Sequence, residues 1–139
     1  MKAENLVNAD SGINGDVSDP YAKIKLGNIK YKTEIISNSL NPEWNTIFIF
    51  PIDGNADFKD LNIEIFDHDK FKNDANLGNV VIDVYDLIKN GGQMKEIWSD
   101  LQDIKTGKFL FSLKVGNIEL ELENEMDKFK RQRSNSSVI

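Results

Sequence analysis

Short segments in which apolar and charged residues alternate constrain the fold of this chain more than any other feature. Residues 21–26 and 29–35 alternate in this way, and Gly27-Asn28 between them is typical of a two-residue hairpin turn. Residues 46–50 are continuously apolar, which predicts a strand that is buried on both faces or lies along an interior seam. Further strand-like segments lie at 61–65, 80–84, 98–101 and 108–115. Strands at short intervals with turn signals between them predict an all-β, antiparallel β-sandwich.

The composition excludes several classes of function. The 139 residues form one domain and contain no Cys and a single His, so disulfides, thiolate catalysis and zinc ribbons are excluded. No nucleophile–base pair, Gly-rich phosphate loop or metalloprotease motif is present, and we expect no enzyme. A net charge of −6 predicts repulsion from nucleic acid. The lack of Cys fits a reducing cytosol, so we expect a cytoplasmic protein.

Two acid-rich loops suggest a cation site. Asp67 and Asp69 stand two residues apart at the end of a predicted strand, and Asp10 and Asp19 flank an earlier loop. Crowded carboxylates repel each other and raise each other's pKa, and a bound cation relieves that repulsion. A set of oxygen ligands without Cys indicates calcium rather than zinc or copper.

Five motifs in a fixed order resemble a known family. The motifs are Ser18-Asp19-Pro20-Tyr21, Lys32-Thr33, Leu40-Asn41-Pro42-Glu43-Trp44-Asn45, Phe66-Asp67-His68-Asp69 and Leu77-Gly78, and the resemblance as a whole covers roughly residues 3–115. In this order they resemble a C2 domain, the calcium-dependent phospholipid-binding module of synaptotagmins and classical protein kinase C. The resemblance implies an eight-stranded antiparallel Greek-key β-sandwich with a C-terminal strand or helix extension.

The resemblance assigns calcium ligands in the first acidic loop. The family places one Asp before this loop and one in the Ser-Asp-Pro-Tyr motif, which correspond to Asp10 and Asp19. The spacing between them is wider than usual, since residues 11–17 carry about three extra residues. Asp16 lies in that insertion, and it either joins Asp10 or replaces it.

The third loop of the family supplies a pair of ligands that corresponds to Asp67 and Asp69. A further Asp of the family aligns with Ala75 in this sequence. Asp74 and Asn76 flank that position, and either would substitute after a small shift of the loop. We therefore expect two calcium ions, with the site nearest the third loop weakened.

Four lysines are predicted to share one face of the first hairpin. The two-residue turn sets Lys25 opposite Lys30 and Lys23 opposite Lys32, and like charges across a strand pair are destabilising unless an anion binds them. Family members carry a phosphoinositide site here, which implies that Tyr21 and Trp98 flank it. The alternative is a basic edge that blocks strand addition.

The expected function is calcium-dependent binding to anionic phospholipids, with phosphatidylserine and phosphoinositides as ligands. Calcium would recruit the protein from the cytoplasm to a membrane surface, where it acts in signalling as a peripheral membrane protein. Three apolar side chains at the loop tips would insert into the membrane, namely Ile13, Val17 and Phe71. The alternatives are a calcium-independent scaffold for a protein partner and the regulatory domain of a larger enzyme, such as a kinase or lipase.

The last predictions concern a strand at the N-terminus and its replacement near the C-terminus. The family has a full apolar strand before the segment at 3–6, and most of it is missing here. We expect residues 1–123 to form the C2 domain, with 117–123 as a replacement strand, followed by a mobile, charged, Ser-rich tail over 124–139. Two interpretations of 118–122 remain. It alternates like a strand after the Gly116-Asn117 turn, and it also continues a helical spacing through Met126 and Phe129.

Overall fold

The computed structural model describes residues 1–10, 15–52, 58–85, 95–114, 116, 123 and 125–131. Seven strands lie in these ranges, against the eight expected. They are β1 (Lys2–Glu4), β2 (Pro20–Leu26), β3 (Ile29–Lys32), β4 (Asp60–Asp67), β5 (Ala75–Asp83), β6 (Lys95–Asp100) and β7 (Lys108–Leu113). A three-stranded sheet has the order β1-β7-β6, and a four-stranded sheet has the order β3-β2-β4-β5. All strand pairs are antiparallel.

The core lies between the two sheets, as the alternation predicts. Ala22, Ile24 and Leu26 of β2 are buried while Lys23 and Lys25 between them are exposed. Phe109 and Phe111 supply the core from the opposite sheet, and Trp44 fills the space beside Phe109 with ring centroids 6.2 Å apart. Two antiparallel sheets over one apolar core form the predicted sandwich.

The predicted buried strand at 46–50 is wrong. Ile47 and Ile49 are 88% and 48% exposed, and only Phe48 and Phe50 pack against the core. The amide of Thr46 donates to the carbonyl of Trp44 over 2.9 Å, a tight turn that ends the pairing of this segment with the N-terminal residues. Beyond that turn, residues 46–50 belong to no strand of the described chain.

The C-terminal region is described only in part. Residues 125–131 are helical, and Met126 and Phe129 on that helix are 60% and 59% exposed. The proposed strand at 118–122 falls outside the described residues, as do 132–139 of the expected tail. Both therefore remain predictions.

Candidate calcium site and lysine face

The first acidic loop is closed at its base by two side chains. The Oδ1 atom of Asn8 accepts hydrogen bonds from the amides of Asp10 and Ser18, each over 3.1 Å. The buried hydroxyl of Ser18 accepts one from the amide of Ala9 over 2.8 Å. These bonds bring the two ends of the loop together and place Asp10 beside the start of β2.

Strand pairing brings the third loop to the same place. β2 and β4 are antiparallel with Pro20 opposite Asp67, so Asp19 just before β2 meets the end of β4. The amide of Asp19 donates to Oδ1 of Asp67 over 2.7 Å, and its carboxylate accepts from the amide of Asn38 over 2.7 Å. Because backbone amides donate to both carboxylates, the positions of Asp19 and Asp67 are set largely by the backbone.

Three carboxylates converge at this end of the sandwich. Oxygen atoms of Asp10, Asp19 and Asp67 all lie within 4.8 Å of one another. Burial raises the pKa of Asp10, and the neighbouring Asp67, Asp19 and Asp69 raise it further. Oxygen ligands bind calcium at about 2.3–2.6 Å, so oxygens this far apart fit on one ion. The donor set therefore suits calcium, as the sequence predicts.

Asp69 and Asp16 line an open cavity of about 540 Å³, which Asp10 and Asp19 also line. Neither Asp69 nor Asp16 belongs to the group of three carboxylates. Oδ1 of Asp69 accepts hydrogen bonds from the amides of Phe71 and Lys72 over 2.8 and 3.2 Å, which orders the third loop. Asp16 is exposed. Of the two candidates in the first loop, Asp10 is the one that joins the group.

Asp74 has other partners. Its carboxylate accepts hydrogen bonds from the Tyr21 hydroxyl and, over 2.9 Å, from the Asp69 amide, and it lies 3.5 Å from the His68 ring. The Tyr21 hydroxyl contributes most to lowering the pKa of Asp74, followed by the Asp69 amide and by His68. Asn76 accepts from the amide of Gly78 over 2.7 Å. The structure therefore brings neither Asp74 nor Asn76 into the carboxylate group.

The four lysines lie where the hairpin predicts. Lys23 pairs with Lys32 and Lys25 with Lys30, and all four are exposed on the outer face of the four-stranded sheet. Gly27 has a φ of 59°, which suits the first position of the hairpin turn. β4 adds Glu64 opposite Lys23, an acidic neighbour that the hairpin alone does not predict.

An aromatic pair extends this lysine face toward the third loop. Tyr21 stacks on Phe66 with ring centroids 5.7 Å apart, and the two residues are opposite each other in β2 and β4. The ammonium of Lys32 lies 4.5 Å from the centre of the Tyr21 ring, and that of Lys23 lies 4.5 Å from the centre of the Phe66 ring. Such cation–π contacts offset part of the repulsion between the lysines.

The structure does not bring Trp98 to the lysine face. Trp98 is in β6 of the other sheet, 46% exposed, with Lys2 over its ring. Phe66 occupies the flanking position beside Tyr21, a residue that the sequence-based prediction did not include. Alternation along 61–66 was the available signal, because Leu61, Ile63 and Ile65 face the core and Phe66 therefore faces outward.

The three predicted membrane-inserting side chains differ in exposure. Phe71 is 96% exposed beside Lys70 and Lys72 at the tip of the third loop. Val17 is half-buried. Ile13 falls outside the described residues. The structure thus supports a membrane contact at Phe71 more strongly than at Val17.

Comparison with known proteins decides the family. The family model described as "C2 domain" matches residues 1–101. The chain belongs to the C2 domain family. The matched region contains β1 to β6 and both acidic loops of this C2 domain, so the predicted resemblance is confirmed.

Relatives of this C2 domain are much longer proteins. A C2 domain-containing protein of Arabidopsis thaliana is 35% identical over 93% of this chain and 16% of its own length. Extended synaptotagmin-2-A of Xenopus laevis is 31% identical over 81% of this chain and 13% of its own length. The chain therefore spans about a sixth or less of these two relatives.

A solved structure of two C2 domains of extended synaptotagmin 2, described as calcium bound, is similar to this C2 domain. It is 28% identical, with a TM-score of 0.69, and the match covers 83% of this chain and 42% of the other. Among the described residues, none of the helical segments is long and apolar enough to cross a membrane.

Proposed function

We propose that this C2 domain binds anionic phospholipid membranes when calcium is present. The observation that carries the proposal is the convergence of Asp10, Asp19 and Asp67, of which Asp19 and Asp67 are 48 residues apart in sequence. The similar extended synaptotagmin 2 structure is described as calcium bound, which supports the same assignment. The protein would be cytoplasmic and would move to a membrane when calcium rises.

The residues of the site would act as an electrostatic switch. Asp10, Asp19 and Asp67 would hold calcium, with Asp69 and the exposed Asp16 at the rim of the same cavity. Without the ion, these carboxylates repel anionic headgroups. Bound calcium would supply positive charge and open coordination positions for lipid phosphate.

Two further surfaces would contact the same membrane. Phe71 would insert its exposed ring, with Lys70 and Lys72 near the headgroups, where each lysine contributes about 1 kcal/mol. The lysine face, with Tyr21 and Phe66 beside it, would bind the phosphates of a phosphoinositide. Its clustered positive charge on a protein of net charge −6 supports this assignment.

Removal of two ligands tests the switch. Asp67→Asn combined with Asp69→Asn should abolish calcium-dependent sedimentation with vesicles that contain phosphatidylserine. The fold should persist, because Asn retains the Oδ1 acceptor for the Asp19 amide. A matched control is Asp60→Asn with Asp83→Asn, an equal change in charge at the opposite end of β4.

The control variant should sediment with vesicles in calcium as the wild type does, and neither should sediment after chelation. Calcium-dependent sedimentation by the Asp67 and Asp69 variant would contradict the ligand assignment. If the wild type still sediments with vesicles after calcium is chelated, the proposed electrostatic switch is contradicted.

A second candidate function is a calcium-independent scaffold that binds a protein partner. The observation in its favour is that Ala75 offers no carboxylate and Asp74 is bonded to Tyr21. Isothermal titration with calcium separates the two functions, because a scaffold would release no binding heat. Because the relatives are far longer than this chain, a role as the regulatory part of a larger enzyme is a further hypothesis.

A further inference from the structure

An open groove crosses the outer face of the four-stranded sheet beside the lysine face. It has a volume of about 350 Å³ and is lined by Lys25 of β2, by Asn62 and Glu64 of β4, and by Asn79 and Val81 of β5. Strand pairing sets Lys25 opposite Asn62 and Glu64 opposite Asn79, so these polar side chains share one face. Two strand spacings, about 9.5 Å, separate β2 from β5, which is wide enough for one six-membered ring with its substituents.

Two asparagines in the groove keep an acceptor available. The Nδ2 atom of Asn79 donates to Oδ2 of Asp103 over 2.7 Å, and that of Asn62 donates to the carbonyl of Asp60 over 3.3 Å. Because both partners can only accept, each asparagine turns its Oδ1 atom away from that bond. Among the described residues, neither Oδ1 atom receives a hydrogen bond.

Glu64 adds a charged acceptor between these two asparagines. Its side chain is exposed, and the ammonium of Lys23 opposite it lies 4.5 Å from the centre of the Phe66 ring. Within the part of the chain that the structure describes, Glu64 forms no ion pair. A carboxylate beside the lysines weakens the attraction of a simple anion. It stabilises a bound anion only if that anion also carries hydrogen-bond donors.

We propose that the groove binds the hydroxyl-bearing side of a phosphorylated polyol whose phosphates bind the lysines. Ring hydroxyls donate to Glu64 and to the Oδ1 atoms of Asn62 and Asn79, while Lys25 donates to a phosphate. This proposal rests on the proposed phosphoinositide binding of the lysine face and adds the residues that recognise the ring. The lysines attract any anion, whereas the acceptors select one that carries free hydroxyls next to its phosphates. A lipid headgroup and a free inositol phosphate share this chemistry.

Glu64→Ala tests the groove, because it removes an acceptor and a negative charge together. Inositol trisphosphate has free hydroxyls, and its binding should weaken roughly tenfold, since a hydrogen bond to a charged group is lost. Inositol hexakisphosphate has no free hydroxyl, and its binding should be unchanged or stronger, since only repulsion is removed. Isothermal titration of the full chain in a calcium chelator measures both affinities.

Asp60→Ala is the matched control for the loss of charge. Asp60 is exposed in the same strand, opposite Asp83 and outside the groove. This control should not weaken the binding of either compound. If Glu64→Ala and Asp60→Ala act alike, or if Glu64→Ala strengthens the binding of inositol trisphosphate, the groove is not a hydroxyl site and the proposal is overturned.

Lys25→Gln separates the proposal from the function on which it rests. It should weaken the binding of both compounds. Unchanged binding of both would overturn the anion site on the lysine face together with the groove. Weaker binding of both, with no difference between Glu64→Ala and Asp60→Ala, would overturn the groove alone.

Vesicles of phosphatidylcholine with phosphatidylinositol bisphosphate identify the source of the ligand. If Glu64→Ala weakens sedimentation with these vesicles at saturating calcium, the groove binds a lipid headgroup. If Glu64→Ala weakens only the binding of inositol trisphosphate in solution, the groove binds the free phosphate. Both results support the proposal, and the absence of any loss in either measurement overturns it.

Discussion

Tyr21 connects the lysine face to the third acidic loop. Its ring lies under Lys32 and stacks on Phe66, and its hydroxyl donates to the carboxylate of Asp74. Burial, together with this bond, raises the pKa of Tyr21 to about 12, so the phenol remains a donor at ordinary pH. Asp74 as a metal ligand stays a prediction, and the structure shows that its carboxylate accepts hydrogen bonds from the Tyr21 hydroxyl and the Asp69 amide.

Tyr21→Phe should lower the free energy of unfolding by about 1.5 kcal/mol at neutral pH, since a hydrogen bond to a charged group is lost. The lowered pKa of Asp74 means that this bond stabilises the fold above the ordinary Asp value of 3.8. The stabilisation is lost as the pH falls through the pKa of the folded state. The difference between variant and wild type should therefore shrink at acid pH, as urea denaturation would show.

Tyr31→Phe is the matched control for this effect. The Tyr31 hydroxyl donates to the backbone carbonyl of Ile49, which does not titrate in this range. Its stability cost should therefore be independent of pH. A Tyr21→Phe cost that is equally independent of pH would contradict the role assigned to Asp74.

The hairpin of β2 and β3 shows what sequence can predict at the scale of an element. Gly27-Asn28 determines the turn and hence both lysine pairs, because the register of a hairpin follows from its turn. The prediction of the lysine face did not include Phe66, because Phe66 is in β4. The sequence of the hairpin does not indicate which strand pairs with β2 on its other side. Trp98 was misplaced for the same reason, since assignment to a sheet depends on the whole topology.

Replacing one pair of lysines tests the function of this face. Lys23→Gln with Lys32→Gln should weaken binding to phosphoinositide vesicles more than binding to phosphatidylserine vesicles, because both ammonium groups lie beside the aromatic pair. The salt dependence should also flatten, since exposed charges are screened over about 8 Å at physiological ionic strength. Vesicle sedimentation at several salt concentrations measures both effects.

Lys105→Gln with Lys108→Gln provides a control with the same change in charge, because both lysines are exposed and lie in or just before β7 of the other sheet. This control should weaken binding to both kinds of vesicle equally and only slightly. If the two variants behave alike, the lysine face contributes only general charge.

Across the described part of the molecule, one acidic and one basic cluster lie in different places. Asp10, Asp19 and Asp67 gather where the first and third loops meet, four lysines lie on the outer face of β2 and β3, and Phe71 lines the cavity beside the carboxylates. The motifs and their order predicted this arrangement. They did not predict the exposure of Ile47, because it depends on which segments are adjacent across the sheets.

Phe71→Ala tests which end of the domain meets the membrane. Burying a large apolar side chain contributes about 1.5–3 kcal/mol, so the variant should bind vesicles roughly ten- to hundredfold more weakly at saturating calcium. Its stability and its calcium affinity without lipid should be unchanged, since the ring is 96% exposed.

Ile47→Ala is the control, because Ile47 is 88% exposed but lies far from the carboxylates in sequence and outside the cavity that they line. It should bind vesicles as the wild type does. Equal losses for the two variants would argue against docking through the loop tips.

The closed base of the first loop has a practical consequence for engineering. Asn8 and Ser18 hold the loop ends together, and the side-chain amide of Asn8 also donates to the carbonyl of Asp16 over 3.0 Å. Gly15 lies in that loop with nothing within 4 Å of the position of an added Cβ. Doubling the length of a flexible loop costs only about 0.6 kcal/mol. A reporter peptide inserted at Gly15 should therefore leave the carboxylates in place and signal from the edge of the candidate calcium site.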